Sequence, residues 1–180
     1  MKYDLNWVKK LHDQNSLPGY IFFWGHTPKE NSVDKSCFSQ WYVSPFTHED
    51  ITYATAEHWM MAKKAALFND ISQLTLVLSN PDPAATKKAG RAVSNFEASK
   101  WEKHAFQFVV EGNFHKFSQN PALKTFLLNT GEKILVEASP YDAIWGIGLQ
   151  TYENNPHQWK GTNLLGFALM EVRDLLKTRQ

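Results

Sequence analysis

Apolar positions recur at helical spacing along most of the chain, and only short runs read as strands. Asp4 is placed to cap a first helix carrying Leu5, Val8 and Leu11 or His12 at helical spacing. "YIFFW" (20–24), rich in aromatic and β-branched residues, predicts a buried strand. Residues 25–37 are polar and turn-like. "FSQWYVSPF" (38–46) predicts a second extended stretch, held to an edge or an end by Pro45, with "ITY" (51–53) as its hairpin partner. Thr55 and Asn69 bound a helix over 55–68. Another helix is expected over 70–78, and Pro83 opens one that runs to about Ala89. Trp101, Ala105, Phe108 and Val109 share one side of a long helix over 98–118, ended by "QNP". A short helix ends at Gly131, "KILVEAS" (133–139) is strand-like, and residues 140–161 form a long structured loop of the kind that usually carries function. Thr162 is expected to cap a last helix, with Leu165, Leu169, Val172 and Leu176 as its apolar stripe. The sum is an α+β fold, a predominantly helical single domain with a small β-sheet.

Composition narrows the classes. A chain of 180 residues fits one domain and folds without a metal or disulfide. Twelve Phe, seven Trp and six Tyr can line a pocket for a flat ligand as well as fill a core. A net charge of +1 argues against a broad non-specific nucleic-acid surface but not against a pocket for one nucleotide. Cys37 is the lone cysteine, so no internal disulfide and no cysteine zinc set can form. The charged N-terminus lacks an apolar signal core, and no apolar run reaches membrane-spanning length; a cytoplasmic protein with no membrane partner is expected. G-x-G-x-x-G, Walker A and H-E-x-x-H are absent, so no cofactor and no metal is assigned.

Four constellations carry candidate chemistry. Glu57, Met60, Met61, Lys64 and Phe68 fall on one helical stripe. Glu57 and Lys64 differ by only about 20° around the axis and about 10.5 Å along it, a span for gripping one sugar-sized ligand from both ends. The plainer alternative is a dipole-favoured first-turn acid and a lysine reaching to water. His58 points about 100° away and fits a helix residue bonded to a backbone carbonyl. In "SPYDAIWGIGL" (139–149), Asp142, Trp145, Gly146 and Gly148 offer close backbone approach and a stacking surface, or else a tight turn anchored by a buried Trp. Arg91 can grip a phosphate and Trp101 can stack on a base, or both belong to a plain helix end and core. Asn163 sits near a helix N-terminus whose free N–H groups would accept an anion, unless Thr162 merely caps it and Asn163 faces water.

Taken in order, "FSQWYVSPF", "ITYATAEHWMMAKKAALF", "GR" (90–91), "WE" (101–102), "KF" (116–117), "LVEASPYDAIWGIGL" and "WKGTNLLGFALMEVR" resemble the NADAR, or YbiA-like, family. The resemblance covers residues 20 to about 176, which implies a NADAR domain over 20–180 with residues 1–19 as an N-terminal helical extension packed on it. It implies an N-glycosidase. The substrate would be a small nucleotide-like ribosylamino-pyrimidine of the riboflavin pathway, or ADP-ribosylated guanine in a nucleotide or nucleic acid. Glu57 and Lys64 match the family's glutamate and lysine, and Trp41, Arg91, Trp101, Asp142, Trp145, Gly146 and Asn163 would bind substrate. The chain departs from the common pattern at Gln40–Trp41, Met61 and Ile147, positions that bear on substrate choice. A carboxylate can stabilise charge at C1 or assist the leaving amine, and a lysine kept neutral by desolvation can form a Schiff base with an open-chain ribose. The competing expectation is a non-catalytic module binding NAD- or ADP-ribose-like ligands.

Overall fold

The computed structural model describes residues 1–29, 32–150 and 152–178. Glu30, Asn31 and Thr151, inside the two expected loops, and the last two positions of the expected 20–180 domain lie outside the described residues. In chain order the elements are α1 (Leu5–Asp13), β1 (Tyr20–Phe23), β2 (Phe46–His48), β3 (Ile51–Tyr53), α2 (Ala56–Leu67), α3 (Ile71–Ser79), α4 (Pro83–Arg91), α5 (Ala98–Gln119), α6 (Pro121–Leu128), β4 (Ile134–Glu137) and α7 (Leu164–Thr178). This is the expected α+β fold, dominated by helix. The strands form two two-stranded sheets, β1 with β4 and β2 with β3, rather than one.

Two compact units emerge, Met1–Ser39 with Ala122–Gln180, and Gln40–Pro121. In the first, β1 and β4 pair in parallel from Tyr20↔Ile134 to Phe23↔Glu137. β4 is buried from Ile134 to Val136, as an apolar parallel strand should be. β1 is less buried than its apolar run predicts, with Phe23 alone inside. α7 lies against β4: Gly166 comes so close that an added Cβ would fall 2.0 Å from the Leu135 carbonyl oxygen. The α7 stripe Leu165, Leu169, Val172 and Leu176 is buried as expected. The segment 1–19 belongs to this unit. Asp4 caps α1 by accepting the Trp7 N–H at 2.7 Å. Tyr3 donates to Asp174 at 2.7 Å, Lys2 also bonds Asp174, and His157 meets Asp13 at 2.8 Å.

In the second unit α2 is the central helix, between α3, α4 and α5. Two glycines let it approach its neighbours. A Cβ on Gly112 of α5 would meet Trp59 at 2.4 Å, and one on Gly90 of α4 would meet the Met61 sulfur at 2.1 Å. The stretch 38–46 is not a strand, contrary to its apolar pattern. Lys35–Phe38 is a 3-10 turn and only Phe46 onward pairs, with Phe46 opposite Tyr53. The backbone bonds of the stretch go elsewhere: the Gln40 carbonyl accepts the Glu57 N–H at the start of α2 at 2.9 Å, and the Ser44 N–H donates to the Ala54 carbonyl at 3.0 Å.

Candidate active site

α2 starts where Thr55 leaves extended backbone, its hydroxyl accepting the His58 N–H at 3.0 Å. It stops at Asn69, whose φ of 55° lies in the left-handed region that Asn tolerates. From Ala56 to Ala62 every side chain is buried. Glu57 is one of them, 7% exposed, in the turn where the helix dipole favours a carboxylate. Its backbone N–H donates to the Gln40 carbonyl at 2.9 Å, which holds Gln40 and its neighbour Trp41 at the helix start. Lys64, half-buried, follows two turns later on the same unbroken helix and therefore on the same face.

The surroundings of Lys64 are aromatic. Its Nζ lies 4.3 Å from the Phe96 ring centroid and 5.6 Å from that of Trp101. Burial holds its ammonium below the usual lysine range; the charge of Glu57 pulls upward and that of Arg91 pushes down. So Glu57, Lys64, Arg91 and Trp101 act in one neighbourhood. Trp101 also packs on the cluster of Ala65, Phe68 and Val93, while Arg91 is exposed at the end of α4. Trp41 has the Lys87 ammonium 5.5 Å from its ring. Met61, expected on the same stripe, is committed to Gly90.

Lys63 faces elsewhere, 4.3 Å over the Trp59 ring. His58 is buried, its Nε2 2.9 Å from the Val77 carbonyl and its Nδ1 accepting the Ala54 N–H at 3.2 Å. That makes it a neutral structural histidine. Two contributors were not among the residues singled out from the sequence. Phe96 reaches Lys64 from a loop, and Asn113 donates to Gln40 Oε1 at 2.7 Å and to the Val109 carbonyl at 2.8 Å. The Asn113 Oδ1 is buried with no partner among the described residues. An Asn inside an apolar helix face was the one hint available.

The 139–149 loop belongs to the other unit and is held by its own backbone. Asp142 Oδ1 accepts the Ile144 and Trp145 N–H groups at 2.9 and 2.7 Å. Gly146 is buried, and a Cβ there would stand 2.9 Å from the carbonyl oxygens of both Asp142 and Glu137. Trp145 is half-buried. The expectation at the start of α7 is corrected. Thr162 donates its hydroxyl to the Ile144 carbonyl at 2.6 Å instead of capping. The N–H groups of Asn163, Leu164 and Leu165 donate to the carbonyls of Gly146, Ile144 and Trp145. They are not open to an anion. Asn163 is fully buried; its Oδ1 accepts the Glu137 N–H at 2.9 Å and its Nδ2 donates to the Leu135 carbonyl at 2.9 Å. It binds the loop to β4.

Among the described residues no group of three or more His, Cys, Asp or Glu is placed to hold a metal ion. No described helix is long and apolar enough to cross a membrane.

Comparison with known proteins agrees with the sequence pattern. The family model of the NADAR domain matches residues 22–177. The chain is 44% identical over 163 residues to N-glycosidase R617 of Acanthamoeba polyphaga mimivirus, covering 86% of this chain and 95% of that protein. It is 31% identical over 145 residues to N-glycosidase YbiA of Escherichia coli K12, covering 81% and 84%. The NMR structure of Escherichia coli YbiA superposes with a TM-score of 0.74 at 28% identity, over 91% of this chain and 88% of that one. The chain belongs to the NADAR family.

Proposed function

We propose that this chain cleaves the bond between C1 of a ribose and an amine nitrogen, with Glu57 and Lys64 as its catalytic pair. As a NADAR member with N-glycosidase relatives, it is a hydrolase of N-glycosyl bonds. The observation that carries the residue assignment is Lys64: a half-buried amine pushed toward its neutral form on the helix face that also holds a buried carboxylate. A non-catalytic binding module has no use for such an amine.

The steps balance. Glu57 as acid gives a proton to the ring oxygen, and the ring opens to an iminium between C1 and the substrate nitrogen. Neutral Lys64 adds to C1. A proton passes from the lysine nitrogen to the substrate nitrogen, and the C1–N bond breaks with its electron pair on the departing amine. Water adds to the remaining lysine–sugar imine and restores the free amine and an aldehyde sugar. Glu57 recovers its proton in that step. Trp101 is assigned as a flat wall for the base, Arg91 as a contact to phosphate or ribose oxygens, and Trp41 as a further substrate contact. In the same reading Asp142, Trp145 and Gly146 bind substrate, and Asn163 serves them by fixing their loop.

Two substrate classes suit this chemistry, a ribosylamino-pyrimidine phosphate and ADP-ribosylated guanine, since both join ribose C1 to an amine nitrogen. Incubating the protein with each, and following free sugar phosphate or free ADP-ribose, tests the reading. Turnover of one is expected; turnover of neither overturns it.

A further inference from the structure

The geometry points to a second feature, in the unit that contains β1, β4 and α7: an aromatic platform that stacks a nucleobase. Residues two apart on a strand share a face. Tyr20, Phe22 and Trp24 therefore line one side of β1 and its extension. Each has a ring partner from the 140–161 segment: Trp159 lies 5.8 Å from Tyr20, Tyr152 lies 5.2 Å from Phe22, and Tyr141 lies 6.2 Å from Trp24. Tyr20 and Phe22 also touch, at 5.4 Å.

The row is graded. At one end Trp159 is buried and Tyr20 half-buried, and the other end is open: Trp24 is 47% exposed, Tyr152 65% and Tyr141 88%. Single exposed apolar residues need no explanation, but Trp24 and Tyr141 pack on each other and leave a paired ring surface open, with Tyr152 exposed against Phe22 on the same row. The Trp24 and Tyr141 planes meet at 50°, a wedge whose outer faces are available. A cation stands beside the row. Lys35 donates to the Phe22 carbonyl at 2.8 Å and sits 5.1 Å from the Tyr152 ring centroid, so its charge is fixed rather than mobile. Open rings beside a fixed ammonium are what a base and its phosphate require, and stacking is tolerant of base identity because every base has a π-face. Tyr141 directly precedes Asp142 of the proposed substrate loop. The choice of a nucleobase as ligand rests on the ribose–amine reading above.

The test uses the full chain carrying Glu57→Gln, so that no turnover intervenes. Fluorescence anisotropy would follow a labelled single-stranded dT octamer, an abasic octamer of the same length, and competition by AMP. The octamer with bases should bind at least tenfold tighter than the abasic one. Trp24→Ala with Tyr141→Ala should remove that advantage while circular dichroism and melting stay unchanged, as fits two exposed residues. Lys35→Gln should flatten the salt dependence. Competition by AMP at equal affinity would identify a free nucleotide as the source, and weak competition a strand; either supports the platform. Equal binding of abasic and base-bearing strands, no binding of any of these ligands, or an unaffected double variant would overturn it. Failure here with intact ribose–amine cleavage by the wild type sinks the platform alone. Intact stacking without cleavage sinks the enzymatic reading alone.

Discussion

At the scale of single residues, the decisive contrast is between two adjacent lysines. Lys64 is half-buried among Phe96 and Trp101 and held toward neutrality, whereas Lys63 leans on Trp59. A nucleophilic amine must lose its proton, which a guanidinium does not do in proteins. Lys64→Arg should therefore lower kcat by about 100-fold or more, although the positive charge stays. If Lys64→Arg keeps near wild-type turnover, the lysine is a fixed cation and the covalent step is wrong. Borohydride added during turnover should leave a sugar adduct on Lys64, visible as a mass increase on its peptide. Lys63→Ala should turn over near the wild-type rate. Glu57→Gln matches the carboxylate in size but neither carries its charge nor moves a proton, and a loss of roughly 10²–10⁴ in kcat is expected with the fold intact. Equal rates for Glu57→Gln and wild type would remove the acid–base assignment.

Between elements, closeness is set by glycines, and two of them predict losses of different size. Alanine raises helix propensity by up to about 1 kcal/mol over glycine. At Gly112 the new methyl meets the rigid Trp59 indole, whose Nε1 is already bonded to the Phe108 carbonyl at 2.8 Å. Gly112→Ala should destabilise by about 1–3 kcal/mol in urea unfolding. At Gly90 the obstacle is the flexible end of Met61, which can change rotamer. Gly90→Ala should cost clearly less, and a larger loss at Gly90 than at Gly112 would refute this packing account. Such contacts explain what could be read from sequence. Most caps and stops were legible because they are local: Asp4, Thr55, Asn69 and Pro83 each act where the sequence puts them, whereas Thr162 gives its hydroxyl to the distant Ile144 carbonyl. Glu57 and Lys64 share a face by helix geometry alone. The stretch 38–46 misled, because its apolar alternation has no say over where the Gln40 carbonyl goes. The roles of Phe96, Asn113 and Asn163 depend on partners far along the chain, so no local pattern shows them. Asn163→Ala makes the point measurable. It strands the Glu137 N–H and the Leu135 carbonyl in the interior, at about 1–3 kcal/mol for each group. An unchanged melting temperature would deny Asn163 its clamp role.

For the molecule as a whole, the folded state should respond to pH through histidines that act from about pH 6.5 downward and a carboxylate that acts from about pH 4 downward. His58 is held below the ordinary histidine range by burial, which outweighs the upward pull of its bond to Val77. His115 is lowered too, chiefly by burial and then by His48, whose ring lies 4.5 Å away. Both belong to the unit Gln40–Pro121. With folded values below unfolded ones, the unfolded chain binds more protons once the pH drops beneath about 6.5. The histidine contribution is thus complete above that pH and is lost as acid is added. Asp70 behaves at lower pH. Its carboxylate accepts the Ser94 N–H at 2.8 Å, the Gln73 N–H at 3.0 Å and the Ser72 hydroxyl at 2.8 Å, which holds it well below the ordinary carboxylate range. Its contribution is present above about pH 4 and fades only below that. The urea midpoint should therefore fall as the pH drops from 7.5 through 5.5, and the Asp70 contribution should be lost in addition below about pH 4. The slope from the histidines should not exceed about 1.4 kcal/mol per pH unit for each of them. Trp59 packs 5.4 Å from His115, so its fluorescence should follow the histidine contribution. His58→Gln should lower stability at pH 7.5 and make it less dependent on pH between 7.5 and 5.5. A wild-type midpoint that does not move across that interval would mean that neither histidine is held neutral by the fold.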